Sequence, residues 1–269
     1  MEIKLVCSDI DGTLLNKERE LSDKTIFEIK RITPIPFILI SSRMPIALKH
    51  LQKQLNILHL PLIAYNGGLV LSDGKILSST EISHDTTQSI YGHCKNTSLH
   101  LSLYHYNEWY VPAMDYWAQR ESNNTKVKPV VRKIETTLYH WRNQDIGAHK
   151  IMVMGNADEI DTLVNHIEKE LANEVVAYRS KAEYLEIAHH SISKKTAIAT
   201  LLSEKYPEIN QENVLAFGDN FNDIDMLQAA GKGVAVANAI EEVLAVADHI
   251  TSSNIENGVA KFLEKQIEN

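Results

Sequence analysis

Cysteine is nearly absent: Cys7 and Cys94 are the only two in 269 residues. Two are too few for a disulfide framework or a cysteine-ligated metal, and Cys7, close to the first apolar run, reads as a small core residue. Redox chemistry is therefore not expected. Long apolar runs are missing too. No segment approaches the roughly 20 apolar residues that span a bilayer, and no charged leader followed by an apolar stretch opens the chain. The expectation is a cytoplasmic protein with no membrane partner. Basic residues are also in deficit, 27 Lys and Arg against 35 Asp and Glu, for a net charge of −8. A nucleic-acid backbone requires a basic surface that releases counterions, so no nucleic-acid partner is expected. A small anion remains open wherever a few basic residues cluster. There is no internal repeat, low-complexity tract or long charge run, and nothing marks an obligate protein partner.

What is present is a hydrophobic content of 44%, in a chain long enough for one large domain or two modest ones. The apolar run 3–6 reads as a buried strand, and it is followed by Asp9-Ile10-Asp11-Gly12-Thr13-Leu14. The strand period of two puts the two carboxylates on one side of the chain. Like charges that close repel and lose solvation, so a cation belongs beside them, and a divalent ion is the obvious choice.

Beyond this point apolar runs alternate with helical patterns. A helix over 22–32 opens on a Ser N-cap, a strand covers 37–40, a helix begins near Pro45, and a strand over 62–65 ends at Asn66-Gly67-Gly68. Asp73-Gly74 suggests a hairpin turn. Such alternation predicts a parallel sheet. After about Ser83 the texture changes: all three tryptophans fall in the middle third, strands are expected over 99–106, 109–113, 150–154, 174–178 and 184–188, and a helix over 158–171. This stretch reads as an α+β module with an antiparallel-containing sheet and helices on one face. From Ser193 the first pattern returns, with strands over 214–217 and 233–236 and helices from Ser193, from Asp223 and near Glu256. The fold class is thus α/β, a doubly wound parallel sheet over 1–82 and 189–269 with a module inserted at 83–188.

A second acidic cluster, Gly218-Asp219-Asn220-Phe221-Asn222-Asp223, directly follows the strand at 214–217. Open α/β sheets bind ligands at the carboxyl ends of their strands, so Asp9, Asp11, Asp219 and Asp223 can converge although distant in sequence. Hard oxygen ligands, completed by water and substrate phosphate, suit Mg2+. Ser41-Ser42-Arg43 and Ser193-Lys194-Lys195 add hydroxyls, amides at helix starts and a lysine, the groups that hold a phosphoryl group. Tyr104, His105, Tyr106, Trp109, Tyr110, Tyr116 and Trp117 read as core or as stacking residues, and His189-His190 as a solvated linker pair.

These four segments together resemble the haloacid dehalogenase superfamily, and within it the Cof-type subgroup with a large α/β (C2-type) cap. Asp9 to Leu14 matches the first motif, Ser41 to Arg43 stands where a Thr-Gly-Arg is usual, Lys194 matches the motif lysine, and Gly218 to Asp223 carries the fourth motif intact. The resemblance implies a Rossmann-like core and a Mg2+-dependent phosphatase of small phosphorylated metabolites, with sugar phosphates foremost. It makes Asp9 the nucleophile and Asp11 the general acid and base. The metal is then held by the Asp9 and Asp219 carboxylates and the Asp11 backbone carbonyl. Phosphate is bound by Lys194, Ser41, amides near Ile10 and Ser42, and Asn222, while Asp223 orients Lys194 or a metal-bound water. The inserted module closes over the phosphate and reads the leaving group. Two departures stand out: Ser42 replaces the usual Gly, a strained choice if that loop needs positive φ, and Lys195 replaces another Gly. A sugar phosphomutase and a non-catalytic phospho-ligand sensor are the alternative readings.

Overall fold

The computed structural model describes residues 2–266, and its strands form two sheets. The chain divides into two units, Met1–Ser78 with Ser193–Asn269, and Ser79–Ile192. The leading segment carries β1 (Leu5–Ser8), α1 (Asp23–Arg31), β2 (Phe37–Ile40), α2 (Ile46–Leu55), β3 (Leu62–Ala64), β4 (Leu69–Ser72) and β5 (Lys75–Ser79). The second unit follows with α3 (His84–Cys94), β6 (His100–His105), β7 (Glu108–Val111), α4 (Tyr116–Thr125), β8 (Val130–Val131), α5 (Ile134–Gln144), β9 (Lys150–Met154), α6 (Ala157–His166), β10 (Val175–Lys181) and β11 (Tyr184–His189). The returning segment supplies α7 (Lys194–Lys205), β12 (Val214–Gly218), α8 (Ile224–Ala229), β13 (Lys232–Val236), α9 (Glu241–Val246), β14 (His249–Thr251) and α10 (Gly258–Gln266).

In the first unit the sheet order is β14-β13-β12-β1-β2-β3-β4-β5. The pairs from β14 to β3 are parallel, and β4 adds antiparallel to β3. Central parallel strands are covered on both faces, which is why β1, β2 and β12 are buried throughout and read as continuous apolar runs. Leu5, Cys7, Ile38, Ile40, Val214 and Ala216 share one core cluster with Ala197, Ile198, Leu201 and Leu202 of α7. The register pairs Ser8 with both Phe217 and Leu39. The chain following β1, β2 and β12 therefore emerges along one edge, and that edge carries the first, second and fourth motifs, while Lys194 opens α7. The helices are locally encoded as well: Ser22 caps α1 by accepting the Thr25 amide, with Asp23 in the first turn and Lys30 and Arg31 in the last.

The second unit's sheet runs β10-β11-β9-β6-β7-β8, antiparallel except for the β7–β8 pair. Leu101, Leu103, Ile151, Val153, Leu185 and Ile187 face α3, α5 and α6 through Ile90, Leu138, Trp141, Ile160 and Leu163. Helices packed on one sheet face agree with the α+β texture of this stretch.

Several boundaries differ from expectation. The first strand is shifted to β1, and the third ends at Ala64, because Tyr65–Gly67 forms a single 3-10 turn with Asn66 left-handed at φ 55°. The helix expected from Asp223 starts at Ile224, after a 3-10 turn over Phe221–Asp223 in which Asp223 serves as a cap. The helix expected over 158–171 ends at His166 and runs on as a π-type turn, Ile167–Leu171. Short, partly exposed β14 carries no period from which a strand can be read.

Candidate active site

Three loops at the strand ends bring their side chains to one place. Lys194 is the first residue of α7, whose N-cap Ser193 forms a reciprocal capping box with Thr196. A cation at a helix N-terminus opposes the helix dipole, and this one is also fully buried, with no side-chain exposure. Carboxylates offset both penalties: Nζ donates to Asp9 Oδ1 at 2.5 Å and to Asp223 Oδ1 at 2.6 Å. Their charges hold the ammonium above its usual range against burial, which pushes the other way.

Asp223 has no spare oxygen. Its Oδ2 accepts the Asp219 and Asn220 amides at 2.9 and 3.0 Å, so it ties Lys194 to the fourth-motif loop. Gly218 supports this closeness, since a Cβ there would lie 2.5 Å from the Asp223 Cβ. Asp219 accepts the Thr13 hydroxyl at Oδ1, 2.6 Å away. Burial, with the Asp223 and Asp11 charges adding to it, pushes Asp219 up to about 6 despite that hydrogen bond. Burial likewise raises Asp9 well above the carboxylate range, opposed by Lys194.

Asp9, Asp219 and Asp223 offer carboxylate oxygens within 4.8 Å of one another. Three acidic groups thus face one ammonium in a mostly dry site. Asp9 Oδ2 and Asp219 Oδ2 receive no hydrogen bond among the described residues, while both carboxylate oxygens of Asp223 are engaged. An all-oxygen donor set with excess negative charge fits a small hard divalent cation. Gly12 keeps the space: at φ 90° it occupies the left-handed region, and a Cβ there would stand 2.3 Å from Asp219 Oδ2.

Asp11 does not join this group. The alternation expected to align it with Asp9 stops at Ser8, where β1 ends and a turn begins. Its carboxylate instead takes a bidentate pair from Arg43, Nε to Oδ2 at 2.7 Å and Nη2 to Oδ1 at 2.5 Å. The cation predicted beside the two aspartates is therefore provided twice by the protein itself, by Lys194 for Asp9 and by Arg43 for Asp11. The sequence places Arg43 in a motif without assigning it a role, because its partner lies across the β1 and β2 loops.

On the phosphate-binding side, Ser41 is buried and its hydroxyl accepts the Arg43 amide at 3.1 Å. Ser42 is half-buried and is not among the residues with positive φ, so the strain considered for it does not arise. Ile10 is wholly buried, and its carbonyl closes the turn by accepting the Leu14 and Leu15 amides at 3.0 Å. Asn222 donates to Asn66 Oδ1 at 3.0 Å. Asn66 in turn donates its amide to the Ser41 carbonyl at 2.9 Å. The Asn-Gly-Gly turn thereby connects the second and fourth motifs, and a Cβ at Gly67 would lie 2.5 Å from the Ser193 carbonyl oxygen. These contacts are those of a scaffold. Thr13 is a residue whose part in the site the sequence does not reveal, since it acts through a partner more than 100 residues away.

A second gathering of ionisable groups lies within the Ser79–Ile192 unit, at Glu81, His105 and His149. The Tyr106 amide donates to His149 Nδ1 at 3.2 Å, which leaves that nitrogen bare and puts the neutral ring's proton on Nε2. Nε2 stands 3.0 Å from Ser79 Oγ, which donates to Glu81 Oε1 at 3.0 Å. His105 Nδ1 faces the Gly147 carbonyl at 2.9 Å, and the Gly147 amide donates to Glu81 Oε2 at 2.6 Å. Burial, with His105 adding to it, lowers His149 to about 3. Metal coordination through Nε2 would break this chain of donors and acceptors.

Comparison with known proteins agrees with the geometry. A sequence model described as haloacid dehalogenase-like hydrolase matches residues 6–263. A Haemophilus influenzae protein named "Putative phosphatase" is 32% identical over 271 residues, covering 99% of each chain. A Bacillus subtilis 5-amino-6-(5-phospho-D-ribitylamino)uracil phosphatase is 29% identical, covering 98% of this chain and 95% of its own. The crystal structure of a haloacid dehalogenase-like hydrolase from Bacteroides thetaiotaomicron superposes with a TM-score of 0.90 at 26% identity, over 99% of this chain and 100% of that one. Among the described residues, no helix is long and apolar enough to cross a membrane.

Proposed function

This chain belongs to the haloacid dehalogenase-like hydrolases and is a phosphatase, and we propose that its substrates are small polyhydroxylated phosphomonoesters, sugar phosphates foremost, hydrolysed through a phosphoryl group carried on Asp9 with Mg2+ bound. The observation that carries this reading is the fixed, buried Asp9: Lys194 holds one oxygen while the other accepts no hydrogen bond among the described residues.

In the first half-reaction that other carboxylate oxygen attacks phosphorus, the bond from phosphorus to the substrate oxygen breaks, and its electron pair leaves with the alcohol. An alkoxide is a poor leaving group, so Asp11 supplies a proton to it. In the second half-reaction water attacks the phosphoryl group, Asp11 takes the water's proton, and Asp9 is freed. Splitting one hard displacement into two is the gain from covalent catalysis. Lys194, the Ser41 hydroxyl, amides near Ile10 and Ser42, and Asn222 take the phosphoryl oxygens. Asp9, Asp219 and the Asp11 carbonyl would hold Mg2+, which offsets repulsion between a carboxylate nucleophile and a phosphate dianion. Asp223 orients Lys194.

The proposed substrate class draws support from the Bacillus relative, whose named substrate bears its phosphate on a ribityl chain. The test is a panel of phosphorylated metabolites with Mg2+, read as free phosphate. Steady release from sugar or polyol phosphates is expected, and release confined to substrates lacking hydroxyl groups would overturn the class. Asp9→Asn should abolish turnover with the fold intact, and near wild-type turnover would remove Asp9 as nucleophile. Asp11→Asn should slow alkyl phosphates more than aryl phosphates, whose phenolates leave without a proton. Equal losses would count against Asp11 as acid.

A further inference from the structure

Asp11 and Arg43 are unequal partners. The Arg43 side chain is 7% exposed, and that of Asp11 is 40% exposed. Both carboxylate oxygens accept N–H groups of the same guanidinium, so in this arrangement neither carries a proton toward a leaving group. Arg43 is fixed from behind: its amide donates to Ser41 Oγ, and its carbonyl accepts the Tyr65 amide at 3.2 Å. Asp11 sits in the turn after β1, exposed and held at its carboxylate chiefly by this pair. If one of the two moves during turnover, it is Asp11.

We propose that Arg43 is a positioning residue for Asp11, a fixed fork that docks the carboxylate after β1 and sets the orientation from which one oxygen is withdrawn to the leaving group. This inference rests on the reading of Asp11 as proton donor given above. A planar guanidinium defines the carboxylate's plane as well as its distance, which an ammonium cannot do. Because Arg43 acts through Asp11, its removal has little left to change once Asp11 can no longer transfer a proton.

The experiment compares Arg43→Gln, Arg43→Lys, Asp11→Asn and the Arg43→Gln/Asp11→Asn double variant. Each is assayed as the full chain with Mg2+ on one alkyl and one aryl phosphate. With misplacement of a catalytic group costing up to about 100-fold, Arg43→Gln should lower kcat on the alkyl phosphate ~10- to 100-fold with KM within about 2-fold. The aryl phosphate should suffer less, and Arg43→Lys should recover only part of the loss. In the Asp11→Asn background the same substitution should cost less than about 2-fold, the non-additivity expected of residues acting as a unit. A raised KM, or an equal loss in both backgrounds, would show Arg43 binding phosphate directly and overturn the proposal while leaving the acid role of Asp11 standing. Asp11→Asn losses that are equal on both substrates would remove the acid reading, and this inference with it. If Arg43→Gln does not fold, Arg43→Lys in the two backgrounds decides by the same comparison.

Discussion

Asp9, Asp223 and Lys194 in one unit, and Glu81, His105 and His149 in the other, are both groups of three ionisable side chains, the first buried throughout and the second only at His149, and they carry their charge differently. In the first, one ammonium is paired directly with two acidic side chains, burial raises Asp9 well above the carboxylate range against that pairing, and a third acid, Asp219, leaves the site with more acidic than basic groups. In the second, one histidine is kept neutral, and a serine hydroxyl and a backbone amide fill the acceptors of Glu81. Acidic groups in excess of the one ammonium make a site that attracts a cation, and a cation bound there would in turn draw a phosphate. A network of hydrogen bonds through neutral partners is a fastening, here between the segment after β5, the end of β6 and the loop before β9. The difference shows why a count of His, Asp and Glu within reach of one another does not by itself define a metal site.

The sharpest way to break the comparison is to delete one member from each group. Lys194→Met leaves Asp9 and Asp223 buried without their cation, and removing one partner of a buried pair costs about 3–5 kcal/mol. Glu81→Gln removes no buried cation and keeps one acceptor, so it should cost about 1–2 kcal/mol, the range for an imperfectly replaced hydrogen bond. Chemical denaturation at neutral pH measures both. Equal losses would mean that the first group is no more dependent on charge than the second.

Titration separates the groups by sign. His149 is lowered to about 3 in the folded protein, against about 6.5 in the unfolded chain. Between those values the unfolded state binds the extra proton, so stability falls as pH drops below about 6.5. Asp219, raised to about 6, works in reverse: without metal the folded state binds the extra proton below that pH, so this group's contribution is lost as pH rises from about 4 to about 6. A tenfold difference in proton affinity between the folded and unfolded states corresponds to about 1.4 kcal/mol, so both effects reach a few kcal/mol. In metal-free protein, His149→Gln should flatten the acid-side loss and Asp219→Asn the opposing slope. Denaturation series between pH 4 and pH 7 read both slopes, and a His149→Gln series parallel to wild type would remove the neutral-histidine account.

Much of the first group was legible in the sequence. Asp9, Asp219 and Asp223 lie within six residues of the ends of apolar runs that read as buried parallel strands, and strand ends are where such sheets place their ligands. Lys194 stands immediately after a serine N-cap, so its location at a helix start was readable. The Asp11–Arg43 pair was not, because alternation fails once the chain leaves β1 for a turn, and turn residues direct their side chains by local φ and ψ. The second group was not legible as a group: His105 reads only as a core or stacking residue, residues 81, 105 and 149 have no spacing in common, and only the antiparallel pairing of β6 with β9 brings the latter two together. Spacing reports groups built within one segment, and topology builds the others.

Gly12 tests the boundary of the ionic group with the smallest change. Its φ of 90° is strained for any L side chain, and an added methyl would fall 2.3 Å from Asp219 Oδ2. The strain alone costs about 1–3 kcal/mol. A carboxylate displaced to relieve the clash would also lose the Thr13 hydroxyl, now 2.6 Å from its other oxygen. Gly12→Ala should therefore lower stability modestly and weaken Mg2+ binding about 10-fold, equivalent to ~1.4 kcal/mol, as read by calorimetric titration of the metal-free protein. The matching change in the other unit is Gly147→Ala, where a Cβ would lie 2.1 Å from the Ile82 carbonyl oxygen. That variant should lose stability through the Glu81 network while leaving Mg2+ affinity unchanged. If Gly147→Ala weakened Mg2+ binding as much as Gly12→Ala does, the affinity loss would be a consequence of general destabilisation, and Gly12 would have no special part in keeping room for a metal beside Asp219.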